Sequence, residues 1–231
     1  MKEDILVVIP ARGGSKGLPG KNIKELAGKP LIHYSIEVAR QLFPDQYICV
    51  STDDEQIKKI AEQTGLKVPF LRPATLATDI SSTQDVILHA VGFYEKSSKR
   101  EFNKVVLLQP TSPLRTANHI EEALTMYNKE VDMVVSVKET KANPYFNLFE
   151  SAGNDWIVKS KKAYFTNRQN CPKVYELNGS IYIMNLTSLK TKSISEFEKI
   201  KAFVMDSKYS VDIDNELDWK IAELILSNEL I

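Results

Sequence analysis

The stretch Ile5-Leu6-Val7-Val8-Ile9-Pro10-Ala11-Arg12-Gly13-Gly14-Ser15-Lys16-Gly17 decides the fold class of this 231-residue chain. Its first five residues form a continuous apolar run, which predicts a strand buried on both faces, as in parallel sheets. A glycine-rich loop follows directly, and such a loop at the carboxyl end of a first parallel strand is where open α/β sheets bind nucleotides. The stretch therefore predicts an α/β fold with a parallel sheet.

Strand-like and helix-like patterns alternate over about the first 135 residues. Further strands are predicted at 47–51, 104–108 and 131–137. The helices between them are predicted from Pro30 to about Leu42, from Asp53 or Asp54 to Gly65, over Thr83–Tyr94 and from Thr116 to about Tyr127. Asp53 and Asp54 are interpreted as plain helix caps. Repeated βαβ units of this kind indicate a doubly wound sheet.

The alternation breaks between about residues 138 and 177, where the chain is rich in Asn, Lys and aromatic residues. Short strand-like pieces at 144–149 and 156–159 indicate a β-rich excursion inserted in a single domain that spans residues 1–231. Beyond it the pattern predicts strands over Ile181–Met184 and Phe203–Asp206 and a closing helix over Asn215–Ser227.

Composition excludes several classes of protein. Lys and Arg number 30 and Asp and Glu number 30, so the formal net charge is zero, which argues against a general nucleic-acid binder. No apolar run is long enough for a signal sequence or a membrane span. Two cysteines without metal-ligand spacing, Cys49 and Cys171, indicate reduced thiols. We therefore expect a cytoplasmic protein with neither a membrane nor a nucleic acid as partner.

The glycine-rich loop (residues 10–22) carries three cations that can neutralise phosphate, Arg12, Lys16 and Lys21. Its glycines let backbone N–H groups approach an anion. The loop fits no dinucleotide fingerprint, and it departs from a Walker loop because Ser15 replaces the required Gly and Asn22 the required Ser or Thr. We interpret it as a phosphate site of another kind rather than a solvated basic loop.

An acidic segment (residues 212–218) precedes the closing helix. If Asp212 and Asp214 lie on extended chain, their carboxylates share one face. Two convergent carboxylates suit Mg²⁺, or another divalent cation such as Mn²⁺, beside phosphates. The alternative is that Asp214 is only a helix N-cap. Glu216 and Asp218 are interpreted as complements of the helix dipole.

Several motifs together resemble the acylneuraminate cytidylyltransferases, that is, the CMP-sialic acid synthetases and their relatives. The matching stretches are Ile9–Gly17, Lys21–Ile23, Gly28–Ile32, Leu108–Arg115 and Asn178–Ile183. The resemblance covers almost the whole chain and implies a sheet like that of nucleotide-diphospho-sugar transferases. It also implies transfer of CMP from CTP to a nine-carbon 2-keto sugar acid of the N-acetylneuraminic or legionaminic type. A homodimer is implied as well, with the excursion at about 138–177 as a dimerisation arm.

The resemblance also implies roles for individual residues. Those implied for CTP are Ala11, Arg12, Gly14, Ser15, Lys16, Lys21, Asn22, Arg72, Ser82 and Thr83. Those implied for the sugar acid are Gln109, Arg168 and Tyr182, and those implied for the metal are Asp212 and Asp214. Of these, Arg12, Lys16, Lys21 and Asp212 are expected to be catalytic. No residue stands out as the general base.

Some of these residues have simpler interpretations. Ser82 or Thr83 could be a helix N-cap, Tyr182 a core residue, and Arg115 a surface ion pair near a helix start. Glu176-Leu177 and Asn143 depart from the residues that relatives often carry, in regions where substrate preference is set. Activation of an eight-carbon acid and a non-catalytic nucleotide-binding regulator therefore remain alternatives. The histidines are interpreted as structural; they are His33, His89 and His119.

Overall fold

The computed structural model describes residues 4–14, 17–78 and 80–227. The strands in these ranges are β1 (Ile5–Pro10), β2 (Glu25–Leu26), β3 (Lys29–Pro30), β4 (Ile48–Ser51), β5 (Lys104–Leu108), β6 (Met133–Glu139), β7 (Phe149–Gly153), β8 (Trp156–Lys159), β9 (Tyr175–Asn185) and β10 (Ile200–Val204). The helices are α1 (Leu31–Arg40), α2 (Glu55–Glu62), α3 (Thr83–Ser98), α4 (Ala117–Met126), α5 (Leu186–Thr191) and α6 (Glu216–Leu226).

Six strands form the central sheet in the order β10-β6-β9-β5-β1-β4. β1 runs parallel to β4 and β5, and β10 runs parallel to β6. β9 is antiparallel to both of its neighbours, β5 and β6. The chain reaches β9 from β6 without a crossover helix, and a connection of that kind returns the chain antiparallel. The sheet is thus mostly parallel, as predicted.

Helices cover both faces of this sheet, which confirms the doubly wound prediction. Alternate side chains of β1 point to opposite faces. Ile5, Val7 and Ile9 pack in one cluster with residues of α1, α2 and α4. Leu6 and Val8 pack in a second cluster with residues of α3 and α5. All five side chains are almost completely buried, as their continuous apolar pattern predicts.

Several elements differ from the sequence-based expectation, among them β9, which begins at Tyr175 rather than at Ile181. The predicted strand at 144–149 is wrong over Pro144–Asn147, which is a turn, and β7 begins only at Phe149. Buried Asn143 organises this turn: its side-chain oxygen accepts from the Tyr145 N–H at 3.0 Å. β10 begins at Ile200 rather than at residue 203. Helix α5, only six residues long, was not predicted.

The segment between β6 and β9, residues 140–174, is called the arm below. Strands β7 and β8 pair antiparallel within it as a separate two-stranded sheet. Every residue of these two strands is exposed, including Trp156 (74%) and Ile157 (64%). The arm therefore displays an apolar surface that its own chain does not cover. In the described part of the chain, no helix is both long and apolar enough to cross a membrane.

Candidate active site

A cavity of about 500 Å³ opens where β1 and β5 end, at the carboxyl edge of the parallel strands. This is the edge at which open α/β sheets bind ligands. Predicted site residues from distant parts of the chain line it together: Arg12, Lys21, Asn22, Arg72, Thr83, Gln109, Asp212 and Asp214. Gly17, Leu76, Thr78, Ser81, Pro110 and Thr111 complete much of the remaining wall. Ser15 and Lys16 lie outside the described residues.

Backbone hydrogen bonds fix the shape of the glycine-rich loop. The Ala11 N–H donates to the carbonyl of Ser51 at 2.9 Å, which extends the β1–β4 pairing into the loop. Buried Asn22 donates from Nδ2 to the carbonyl of Arg12 at 3.0 Å. Gly14 is exposed on the loop, with open space around its Cα. Ala11 and Asn22 thus shape the loop, and both Asn22 and Arg12 line the cavity.

Asp53 is a site residue that the sequence interpretation missed. Its Oδ1 accepts from the Gly13 N–H at 3.2 Å and from Arg72 Nη2 at 3.3 Å. Helix α2 is capped by Asp54 instead, whose Oδ1 accepts from the N–H groups of Gln56 and Ile57. The interpretation of Asp53 as a plain cap is therefore wrong: Asp53 joins the glycine-rich loop to Arg72.

The segment before α3 supplies one wall of the cavity. Arg72 is only 5% exposed, and its Nε is buried without a hydrogen-bond partner among the described residues. Thr83 lines the cavity. Ser82 does not line it; its hydroxyl caps α3 by accepting from the Asp85 N–H at 3.0 Å. The cap interpretation is thus confirmed for Ser82, and Ser81 takes its place in the cavity wall.

Of the three residues predicted to hold the sugar acid, Gln109 and Tyr182 lie close together and Arg168 lies apart from them. Gln109 is half-buried at the end of β5 and lines the cavity. Tyr182 lies on β9 outside the lining; burial raises its pKa, and a hydrogen bond with Gln109 opposes that shift. Arg168 is exposed in a 3₁₀ turn of the arm and does not line the cavity of its own chain.

Asp212 lies in the segment between the 3₁₀ turn Ser207–Tyr209 and α6, and it lines the cavity. Its carboxylate is half-buried, and burial raises its pKa. The Thr111 side chain opposes that pKa shift, but Oδ1 is buried and accepts no hydrogen bond of ordinary geometry from the described residues. The carboxylate lies against Gly179, whose φ is +70°, and a Cβ at that position would overlap it. Gly179 is therefore a second site residue that the sequence interpretation missed.

The acidic segment meets the glycine-rich loop through Lys21. Lys21 Nζ donates to the carbonyl of Ile213 at 2.6 Å and to Asp214 Oδ1 at 3.2 Å. The alternative role of Asp214 as a helix cap is wrong, because Asn215 caps α6 with its side-chain oxygen. Asp218 completes this capping box by accepting from the Asn215 N–H at 3.1 Å. Asp214 does not cap the helix and lines the cavity instead.

Asp212 and Asp214 fit a divalent cation chemically. Both line the cavity, and the unpartnered Oδ1 of Asp212 is an acceptor that a cation would satisfy. Mg²⁺ is commonly held by one or two carboxylates together with substrate phosphates. No cluster of three or more His, Cys, Asp or Glu side chains suited to a metal occurs among the described residues.

The remaining candidates have structural contacts. His33 Nε2 lies 2.7 Å from the carbonyl of Ile60, the His119 ring accepts from the Thr116 N–H in the cap of α4, and the His89 ring packs edge-on against Phe70. None of the three histidines lines the cavity.

Arg115 is 4% exposed, so its interpretation as a surface ion pair is wrong.

Comparison with known proteins identifies the family. Residues 6–229 match the family model described as "Cytidylyltransferase". The chain belongs to this family. CMP-N,N'-diacetyllegionaminic acid synthase of Legionella pneumophila is 39% identical over 229 residues, which are 96% of each chain. N-acylneuraminate cytidylyltransferase of Escherichia coli is 37% identical over 227 residues, which are 96% of this chain and 52% of that relative.

A solved structure supports the fold of this cytidylyltransferase. CMP:2-keto-3-deoxy-manno-octonic acid synthetase complexed with CTP superposes with a TM-score of 0.71, covering 98% of this chain and all of that one. The two sequences are 19% identical, so the likeness concerns the fold alone. The predicted nucleotidyltransferase-type architecture is thereby confirmed.

Proposed function

We propose that this cytidylyltransferase joins CMP from CTP to the anomeric hydroxyl of a nine-carbon 2-keto sugar acid, of the N-acetylneuraminic or legionaminic type, and releases pyrophosphate. One observation carries the proposal: a single cavity brings together the basic glycine-rich loop, the carboxylates of Asp212 and Asp214, and the polar Gln109. The names of the two similar relatives support the choice of sugar acid.

CTP lies across the cavity in this proposal. Its triphosphate contacts the glycine-rich loop, where Arg12, Lys16 and Lys21 neutralise it and Gly14 exposes backbone to it. Its nucleoside part lies toward Arg72 and Thr83. The Asp53 bridge supports this placement, because it fixes the loop and Arg72 relative to each other before CTP binds.

Asp212 and Asp214 would hold the divalent cation, Mg²⁺ or Mn²⁺. When bound, the cation supplies neutralisation of the charge on the reacting phosphates. The buried, unpartnered Oδ1 of Asp212 supports this role, because a buried carboxylate oxygen without a donor is otherwise costly.

The sugar acid lies at the Gln109 side of the cavity in this proposal, where the amide can both donate to and accept from a polyol. Arg168 does not line the cavity of its own chain, and the arm that carries it has an uncovered apolar surface. We therefore propose a homodimer in which the arm of one subunit brings Arg168 to the site of the other. Tyr182 acts indirectly in this proposal, by holding Gln109 through their hydrogen bond.

The reaction is an in-line displacement. A bond forms between the anomeric oxygen and the α-phosphorus, the bond from that phosphorus to the α–β bridging oxygen breaks, pyrophosphate leaves with that electron pair, and the hydroxyl proton passes to water. Such a transfer depends on positioning and on stabilisation of charge. Gln109 orients the attacking sugar, while Arg12, Lys16 and Lys21 stabilise the negative charge that grows on the departing pyrophosphate.

The test is pyrophosphate release from CTP and Mg²⁺ with a panel of acids: N-acetylneuraminic, N,N'-diacetyllegionaminic and an eight-carbon ulosonic acid. Turnover with a nine-carbon acid supports the proposal. Preference for the eight-carbon acid, or CTP binding without pyrophosphate release, contradicts it.

We also propose a cytoplasmic location, supported by two cysteines that are both free thiols.

A further inference from the structure

Arg115 is a buried cation that the reaction described above does not use. It lies at the end of the turn after β5 (residues 109–115) and is 4% exposed. Nε donates to Ser180 Oγ at 3.2 Å and Nη1 to Ser35 Oγ at 3.2 Å. Nη2 donates to the carbonyls of Gln109 and Ser112, the latter at 2.7 Å. The guanidinium thus joins α1, β9 and both ends of the Gln109–Ser112 stretch.

This arrangement is electrostatically expensive. The recorded partners of Arg115 are two hydroxyls and two carbonyls, none of which carries a full negative charge. Burial lowers the pKa of Arg115 to about 9, and the charge of Asp212 partly opposes that shift. A buried cation without a directly bonded carboxylate lowers stability relative to an apolar side chain of similar size. The cost points to a role other than folding.

The geometry suits arginine and no other residue type. Guanidinium presents five N–H donors in one fixed plane, whereas an ammonium is a compact group with three. Only the planar fork reaches both serines and both carbonyls at once. The Ser35 hydroxyl accepts from Arg115 and also donates to the Gln109 carbonyl at 3.4 Å. The backbone of Gln109 is therefore held from two directions.

The same turn is connected to the rest of the sugar side of the cavity. Ser112 Oγ donates to the carbonyl of Asn178 at 3.3 Å, next to Gly179. The Thr111 carbonyl accepts from the Ile213 N–H at 2.8 Å, between the two aspartates. A shift of the turn would therefore displace Gln109 first and the acidic segment second.

We propose that Arg115 is a positioning residue for the sugar acid, which orients Gln109 by holding its backbone from behind the cavity. Arg115 touches no substrate. This inference rests on the proposed role of Gln109 in sugar binding. It assigns sugar affinity, and not CTP affinity, to a side chain outside the cavity lining.

The test is Arg115→Lys, which keeps the positive charge and removes the fork. The KM for the sugar acid should rise roughly tenfold, about the effect of losing one hydrogen bond to a substrate. The dissociation constant for CTP, measured by calorimetry without divalent cation, should change less than about twofold. Arg40→Lys is the matched control, because Arg40 also bonds several acceptors, Asp45 and Thr64, but lies outside the cavity. It should leave the KM unchanged.

A double-mutant cycle separates positioning from general loss of structure. If Arg115 acts through Gln109, then Gln109→Ala should raise the KM less in the Arg115→Lys background than in the wild type. Additive effects, an unchanged KM in a folded Arg115→Lys protein, or an equal loss of CTP affinity would overturn the inference. If Arg115→Lys does not fold, Ser180→Ala decides in the same assays by removing the Nε acceptor.

Turnover by the wild-type protein, measured in parallel, tests the proposed function independently of Arg115. A wild type that consumes no nine-carbon acid contradicts that function. If the wild type turns over a nine-carbon acid and the Arg115→Lys variant has an unchanged KM for it, only the inference about Arg115 is contradicted.

Discussion

Lys21 Nζ lies 3.2 Å from Asp214 Oδ1, so the basic glycine-rich loop and the acidic segment meet at one edge of the cavity. The zero net charge of the chain is therefore a sum of opposite charges that the fold places side by side. Lys21 is 13% exposed and Asp214 is 76% exposed, and solvent around Asp214 limits the contribution of such a pair to stability to about 1 kcal/mol. We infer that the pair prepares the site for phosphate and cation more than it stabilises the fold.

Substitution of Lys21 should therefore damage catalysis and spare stability. Lys21→Ala should lower kcat/KM about a hundredfold, as loss of one charge-stabilising donor commonly does. Pyrophosphate release and thermal melting measure the two effects. The control is Lys24→Ala, because Lys24 forms an ion pair of the same length with Glu216 but does not line the cavity. Similar losses in both variants would contradict a specific role for Lys21.

Asp53 and Asp54, which follow β4, should differ in how their substitution changes the KM for CTP. Asp53→Asn should raise the KM for CTP about tenfold, because it weakens charged hydrogen bonds that hold Gly13 and Arg72. Asp54→Asn should leave that KM unchanged, since asparagine is also a good N-cap. Steady-state kinetics with varied CTP makes the comparison. Equal KM values in the two variants would refute the bridge through Asp53.

Gly179 should be intolerant of any side chain. Alanine at a left-handed φ costs about 1–2 kcal/mol, and at Gly179 its Cβ would also displace the Asp212 carboxylate. Gly179→Ala should therefore lower kcat about a hundredfold. Gly65→Ala, with a φ of +85° and no overlap, has the same backbone penalty without touching the site. Retention of activity by both variants would show that Asp212 can move without consequence.

Asp132 should make stability depend on pH at the opposite edge of the sheet. It accepts from Ser188 Oγ at 2.6 Å, from Lys192 Nζ at 3.0 Å and from two backbone N–H groups. The Ser188 hydroxyl, above all, holds the Asp132 pKa far below its usual range. An acid whose pKa is lowered by folding stabilises the folded state fully above its unfolded-state pKa of about 3.9. That contribution is lost as the pH falls below this value toward the folded-state pKa.

Urea unfolding of the wild type and Asp132→Asn should therefore differ most at neutral pH, and the difference should shrink below about pH 4. Catalysis should be unchanged, because Asp132 does not line the cavity. A pH-independent difference would contradict the assignment.

The proposed dimer allows a complementation test. Arg168→Ala and Asp212→Asn should each be inactive alone. If Arg168 acts across the interface, a mixed dimer has one intact site, and mixing should restore about a quarter of wild-type activity by statistics of symmetric pairing. If Arg168 acts within its own chain, mixing restores nothing. Sedimentation velocity of Trp156→Asp should meanwhile show a monomer.

The sequence predicts the framework of this fold well, because continuous apolar runs such as Ile5–Ile9 can be satisfied only in a strand covered on both faces. It does not predict the direction of β9, since an apolar strand reads alike in either direction. Helix α5 was missed because six residues carry too little periodicity.

The residues of the candidate site were likewise predicted only in part. Motifs predicted Arg12, Lys21, Gln109, Asp212 and Asp214, which the cavity brings together. Asp53 was mistaken for a cap because two adjacent aspartates look alike before the fold shows which one meets the helix. The approach of Asp212 to Gly179, and the contacts of Arg115 with Ser35 and Ser180, join parts of the chain that are far apart in sequence, so no local pattern signals them.

The most direct test of the account is pyrophosphate release from CTP, Mg²⁺ and a nine-carbon 2-keto sugar acid by the wild type and by Asp212→Asn. The wild type should release pyrophosphate and form CMP-sugar in equal amounts, and Asp212→Asn should stay folded and form neither. Absence of turnover with every nine-carbon acid, or undiminished turnover by Asp212→Asn, would contradict it.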